Sequence, residues 1–333
     1  MIRFVHRVAR FLGLAVIVAL AACGGAGPTA HGIPPVIPPS QILTNGQFAL
    51  PSTLAGPTGI TTGPDGAMWF TAFDAGAIGR ITTGGAINAF PLPSNLDRPS
   101  SIVTGPDGAL WFTDFAGSIG RITTSGAITE YPLPSATSQP DSIVSAPDGA
   151  LWFSEEVAQA IGRITTAGTI AEYPLAATSN PGAMTIGPDG TPWFVEMGRS
   201  KIGRISLLGV VTEFTIPTAN AAPWGIATGS DGALWFTENY GAKIGRVTTA
   251  GTFTEYPLPA GVAHPAEIAL GPDGALWFLA QGYLGRITTA GVITTYGFAN
   301  IDTNSINALT VGADGLMWYT RRSGSTLNWF AAP

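Results

Sequence analysis

The chain has 333 residues, 45% hydrophobic and 11% charged, with a formal net charge of −6. That apolar content can fill a large core, and the acidic balance repels phosphate backbones, so nucleic acid is excluded as a natural partner. The 44 glycines and 27 prolines sit at fixed places in a repeat, which marks turns and not disorder.

Residues 1–22 read as a targeting segment. Arg3, Arg7 and Arg10 form a basic start, and Phe11 to Ala22 is an apolar run too short to span a bilayer. The run ends Leu20-Ala21-Ala22-Cys23-Gly24, which resembles a bacterial lipobox, where cleavage precedes the cysteine and the thiol is lipidated. Cys23 is the single cysteine, so no internal disulfide can form. The expectation is an extracytoplasmic lipoprotein held to the membrane at Cys23, in the periplasm, at the outer membrane or on the cell surface. Removing residues 1–22 takes away three arginines and no acid, which moves the net charge from −6 to −9. Residues 23–45 then carry the lipidated cysteine and a tether with Pro28, Pro34-Pro35 and Pro38-Pro39, too proline-rich to bury a core.

Residues 46–333 follow one pattern. The phrase Gly105-Pro106-Asp107-Gly108-Ala109-Leu110-Trp111-Phe112-Thr113-Asp114 recurs, with tryptophans at Trp69, Trp111, Trp152, Trp193, Trp235, Trp277 and Trp318, each 41 or 42 residues after the last. A fixed period of that length marks a repeat architecture. In the repeat from Ser100, a short β-rich run, Ser101–Thr104, is the first strand. Gly-Pro-Asp-Gly makes a turn, with proline presetting φ at its first central position. Ala109–Asp114 is the second strand, Ser118–Thr124 the third, Ser125-Gly126 a hairpin turn, and Ala127–Tyr131 the fourth. Pro132 is expected to end it, because proline cannot donate to a ladder.

Four antiparallel strands per repeat, arranged around a ring, make an all-β propeller, in which each sheet buries its faces against its neighbours. One tryptophan per blade at a constant position serves that packing. The last repeat offers strands near Ile306–Val311, Leu316–Thr320 and Leu327–Phe330 and then stops. Gly46–Pro51 matches the fourth-strand pattern and has no first three. The N-terminus is therefore expected to complete blade seven and close the ring.

The repeated phrases Gly-Pro-Asp-Gly-Ala-Leu-Trp-Phe-Thr-Glu, Ile-Gly-Arg-Ile-Thr-Thr and Thr-Glu-Tyr-Pro-Leu-Pro resemble the streptogramin B lyase (virginiamycin B lyase) family over nearly all of residues 46–330. The resemblance implies a seven-bladed propeller and an elimination that opens a cyclic depsipeptide at its ester. In that family a histidine removes a proton beside a carbonyl polarised by Mg²⁺, which two glutamates hold. The family motif is Glu-x-His before a first strand, with a second Glu fourteen residues after the histidine. Here the histidine position falls on Thr58, Ser100, Asp141, Gly182, Trp224, Ala266 and Asn307, and the second-glutamate position on Ala72, Asp114, Glu155, Glu196, Glu238, Ala280 and Arg321. No blade carries the complete motif.

Two functional readings follow. The first is a binding or scaffold module that recognises a small molecule, glycan or peptide on the face where the interblade loops open. The alternative is an enzyme: a Mg²⁺-dependent carbon–oxygen lyase of the family type, or a lactone or ester hydrolase. Asp114, Glu155, Glu196 and Glu238 recur on that face, where acids of adjacent blades could hold Mg²⁺ or Ca²⁺ through oxygen ligands. Asp141, Glu156, Trp224 and Tyr240 are placed near them, with Trp224 a stacking surface for a sugar-like ligand. His264, with Glu267 to orient it, is the candidate base. The Ile-Gly-Arg arginines are expected to pair with carboxylates between blades or with the turn aspartates. The protein is expected to be a monomer.

Overall fold

A computed structural model describes residues 43–94, 97–297 and 306–333. The targeting segment, Cys23 and nearly all of the tether lie outside the described residues, and with them the lipid anchor. The described chain forms seven four-stranded antiparallel sheets. Blade 2 is typical, with strands Pro99–Thr104, Leu110–Asp114, Ser118–Ile122 and Ile128–Pro132 paired in chain order. Pro132 belongs to the fourth strand and does not merely follow it. That strand is the outer edge of its sheet, where a residue without an N–H is tolerated.

Blade 7 mixes the two ends of the chain. Asn45–Ala49 pairs antiparallel with Thr326–Phe330, which continues to Met317–Arg321 and Ile306–Val311. Phe48 stacks on Trp318 with ring centroids 5.8 Å apart, in the place that Tyr131 takes over Trp111 at 5.5 Å. The ring is thus closed by a strand that sequence order puts first.

Four recurring residues account for the blade. Each tryptophan is buried and packs on the following blade, as Trp111 does with Leu151 and Phe153. In five blades the turn aspartate before it accepts from both its indole and the third-strand arginine, as Asp107 does from Trp111 Nε1 at 2.9 Å and Arg121 Nε at 2.6 Å; Asp148 has the arginine alone and Asp314 the indole alone. The arginine carbon then lies 6.0 Å from the centre of the Trp111 ring. These arginines pair within their own blade, with the turn aspartate. Finally, the glycine of Ile-Gly-Arg lets the second-strand phenylalanine lie across the sheet, since a Cβ on Gly120 would sit 2.0 Å from Phe112 Cζ.

Neighbouring blades are also joined by a hydroxyl. Thr113 accepts from Ser101 N of its own blade at 3.0 Å and donates to Asp141 O of the next at 2.9 Å. Thr71, Thr237 and Thr320 make the same inter-blade donation to Ser100 O, Ala266 O and Thr58 O. Four of these acceptors stand at the family's histidine position, so its backbone is fixed by the ring itself. Blade 4 has Val195 in place of the hydroxyl residue, and blade 6 departs further. Leu279 replaces the hydroxyl residue, its backbone bonds Ala266 and Glu267 directly, and the first strand shrinks to Ile268–Leu270.

Candidate functional site

The second strands run from the Asp-Gly turns toward the crossovers between blades, so their last residues gather on the crossover face. In blades 2 to 5 these are Asp114, Glu155, Glu196 and Glu238, all with 0% exposure. Register explains what each one meets. Gly120, Gly162, Gly203 and Gly245 pair with Glu130, Glu172, Glu213 and Glu255 of the fourth strands, so an outer acid lies on the same face of the sheet as each inner one. Blades 1, 6 and 7 carry Ala72 with Ala89, Ala280 with Thr295, and Arg321 with Gln47 at the same two positions. The acids therefore occur in pairs or not at all.

The surroundings of the pairs differ. In blade 5, Lys243 Nζ reaches Glu255 Oε2 at 2.7 Å, and Thr218 donates to the other oxygen of Glu255. In blade 4, Lys201 and Arg199 both pair with Glu213. Blade 3 has Ala160 in place of the lysine, and neither carboxyl oxygen of Glu155 has a hydrogen-bond partner. Burial, reinforced by the charge on Glu172, pushes Glu155 up to about 7. Burial, with Glu255 beside it, likewise pushes Glu238 up to about 7, despite Thr218 and Lys243. Burial raises Glu196 and also works against Glu213 and Glu255, but the lysines hold those two outer acids below the usual carboxylate range. In blade 2, burial pushes Asp114 up to about 6, although two backbone N–H groups favour its charged form.

This arrangement corrects one expectation. The four inner acids do not converge across blades on a shared cation position, because each one faces the outer strand of its own blade. Among the described residues, the one group of three metal-capable side chains is Asp97, Asp114 and Glu130.

An axial channel of about 460 Å³ runs between the seven first strands, lined mostly by small and aliphatic residues such as Ala183, Ile226 and Leu309. Glu267 is among the residues of this wall. At the junction of blades 5 and 6 the sequence candidates come together. His264 takes φ 51°, and its Nδ1 lies 3.4 Å from Asn239 Oδ1. Asn239 Nδ2 donates to Pro265 O at 3.1 Å, and the Tyr240 ring stands edge-on to the imidazole with centroids 6.3 Å apart. Tyr240 is 57% exposed, and Trp224 is half-buried at the start of the adjoining first strand. A Cβ on Gly225 would meet Ala266 O at 2.7 Å, so the strands carrying Trp224 and Glu267 are in close contact. Asp141 lies apart, between blades 2 and 3, 5% exposed, with Ser100 Oγ 3.4 Å from its Oδ1. Glu156 lies in blade 3 with Gln139 O accepting from its backbone N–H.

The geometry brings an imidazole, an amide and the Tyr240 ring together at the junction of blades 5 and 6, beside the strands that carry Trp224 and Glu267. In blade 6 the histidine and second-glutamate positions of the family motif fall on Ala266 and Ala280, and no other blade carries the complete motif. With His264 at the first-glutamate position, that blade holds no pair of carboxylates for the metal.

Comparison with known proteins follows the fold. The model of the virginiamycin B lyase family matches residues 40–181 and 116–330. A streptogramin B lyase structure is 36% identical, with a TM-score of 0.80, over 86% of this chain and 97% of that one. The virginiamycin B lyase of Staphylococcus aureus is also 36% identical, with a TM-score of 0.82, over 88% of this chain and all of that one. That enzyme has further been solved as a catalytically inactive histidine-to-alanine form with quinupristin. The virginiamycin B lyase of Saccharopolyspora erythraea is 49% identical over 39 residues, a stretch about one blade long that spans 12% of this chain and 13% of that protein. The chain belongs to the virginiamycin B lyase family.

Proposed function

We propose that this protein is a ligand-binding propeller of the cell envelope, and that it does not run a histidine-driven elimination. The observation that carries this reading is that no blade holds the complete Glu-x-His and second-Glu motif, with Ala266 and Ala280 at its positions in the blade where His264 meets Asn239 and Tyr240. An elimination needs a base within hydrogen-bond reach of the proton it takes and an electrophile for the developing enolate. Neither alanine can supply them. Trp224, Tyr240, Asn239 and Glu267 suit a small molecule, glycan or peptide that stacks on a ring and donates to a carboxylate.

Incubation with quinupristin and Mg²⁺, followed by chromatography and mass spectrometry, tests the reading. Elimination opens the ring with no change in mass, whereas hydrolysis adds one water, so the two enzymatic alternatives give different products. The expected result is intact quinupristin. Ring-opened product that disappears in His264→Ala would refute the proposal and assign His264 as the base.

We also propose that Cys23 is lipidated, which the Leu20–Gly24 sequence supports. Cys23→Ala is expected to move the protein from the membrane fraction to the soluble one, and unchanged partitioning would refute the anchor.

A further inference from the structure

We propose that Asp97, Asp114 and Glu130 form a binding site for one hard divalent cation, calcium or magnesium, at the junction of blades 1 and 2. One carboxylate oxygen from each lies within 4.8 Å of the others. Two oxygens on opposite sides of a calcium ion at 2.3–2.6 Å would be about 5 Å apart, so the three fit around one centre. All the donors are oxygen, which selects hard cations over zinc or copper.

Hydrogen bonding shows which atoms remain available. Asp114 has 0% exposure, and its Oδ1 accepts from Arg98 N at 2.8 Å and Ala116 N at 2.9 Å. These two bonds fix the carboxylate and leave Oδ2 buried without a partner. Glu130 Oε1 is likewise buried without a partner. Asp97, 7% exposed, is held by Ser94 N on its Oδ2 at 2.8 Å. Among the described residues no lysine, arginine or histidine pairs with any of the three carboxylates. The guanidinium of Arg98 lies instead over the Phe73 ring at 5.6 Å. Three carboxylates gathered at a largely buried point are unfavourable without a counter-charge.

The repeat supplies its own control. Blades 4 and 5 hold an inner and an outer acid at the same two positions and answer them with Lys201 and Lys243. Blade 2 has Ser118 where the lysine stands and adds a third acid from the crossover, at the place where blades 3 and 4 receive Ser138 and Ser179. Its charge is thus increased where blades 4 and 5 neutralise theirs, and, with three acids to the two of blade 3, a bound dication is the counter-charge that blade 2 lacks. Arg98 occupies the first-glutamate position of this blade, so of the two metal-holding positions that the family resemblance implies only the second, Asp114, falls in this site. The site also lies away from the junction of blades 5 and 6, so it stands or falls independently of the ligand reading above.

The test is calorimetric titration of the EDTA-treated, dialysed full chain with CaCl₂ and, separately, MgCl₂, together with thermal melts in each ion. The expected result is one equivalent bound and a midpoint raised by roughly 5 °C at a hundredfold excess over Kd. Asp97→Asn and Glu130→Gln are each expected to weaken binding at least about tenfold. Both change side chains at the edge of the site, so they test the assignment even if Asp114→Asn unfolds. Glu255→Gln in blade 5 is the control and leaves the titration unchanged. The absence of saturable heat and of any midpoint shift with either ion would overturn the proposal. So would binding that Asp97→Asn and Glu130→Gln both leave intact.

Discussion

The substitution Glu155→Gln separates a structural carboxyl from a stabilising one. Glu155 has 0% exposure, and neither of its oxygens has a hydrogen-bond partner. Burial and the charge on Glu172 raise it from 4.5 to about 7. The folded state therefore holds a proton that the unfolded chain releases near 4.5. Between those two values the folded state binds more protons, so stability falls as pH rises, and the full cost is present above about 7. At 1.36 kcal/mol per pH unit, the cost at about pH 8 is on the order of 3 kcal/mol as an upper bound. Glutamine keeps the shape and never ionises, but its amide donors then need acceptors in the same buried place, at about 1 kcal/mol. The variant is expected to be about 1–2 kcal/mol more stable than the parent near pH 8 and about 1 kcal/mol less stable near pH 4. Urea unfolding of both proteins across that range reads the difference directly. A difference that stays constant from pH 4 to pH 8 would refute the raised carboxyl, and with it the claim that blade 3 leaves its acid uncompensated.

Ring closure and blade packing give two further tests. Phe48→Ala removes the ring stacked on Trp318 at the seam and is expected to cost about 2 kcal/mol, less than a fully buried phenylalanine because Phe48 is half-buried. An unchanged urea midpoint would mean that the N-terminal strand does not seal the ring. Gly120→Ala places a methyl against the buried Phe112 ring and is expected to cost about 3 kcal/mol. Adding Phe112→Leu relieves that collision, so the double variant should be more stable than the sum of the single losses predicts, and strict additivity would contradict the contact.

The fold was legible because its signals are local and repeated. Tryptophan spacing gave the blade count, and the unmatched Gly46–Pro51 segment gave the seam. The pairing of Arg121 with Asp107 followed from their regularity, although the bond closes within a blade. The strand starts were less legible. Thr113 bridges to Asp141 O through a hydroxyl, and the register shift between Pro99 and Ile102 that accompanies it has no signature in a single repeat. The acids were half legible. Asp114, Glu155, Glu196 and Glu238 stand out as a series, but what each one meets depends on the fourth strand, sixteen or seventeen residues later in the chain. Aligning the seven repeats on both positions would have shown that inner and outer acids come and go together. Asp97 was harder still, because the crossover position it fills carries Ser138 and Ser179 in the next two blades, so the repeat there predicts no acid.

The two sets of acids respond to pH in opposite directions, and the contrast shows what each is for. Asp107 and its counterparts work against their own burial, but the indole and guanidinium that bond them hold them below the usual carboxylate range. They contribute stability above the unfolded aspartate value and lose it only in acid. Glu155 and Glu238 do the reverse and weaken the ring as pH rises toward and past about 7. A frame clamped five times over by aspartate, arginine and tryptophan can carry such groups. Alanine at Ala72 and Ala280 shows that the same strand position accepts an apolar residue, so an acid there is not required for folding. Blade 6, which holds His264 and Glu267, lacks the acid pair and the hydroxyl bridge together, and its first strand is the shortest of the seven. In blade 6 these departures coincide and cost ladder bonds, at the junction where His264, Asn239 and Tyr240 meet. A site set there can vary its side chains while the neighbouring blades keep the ring closed.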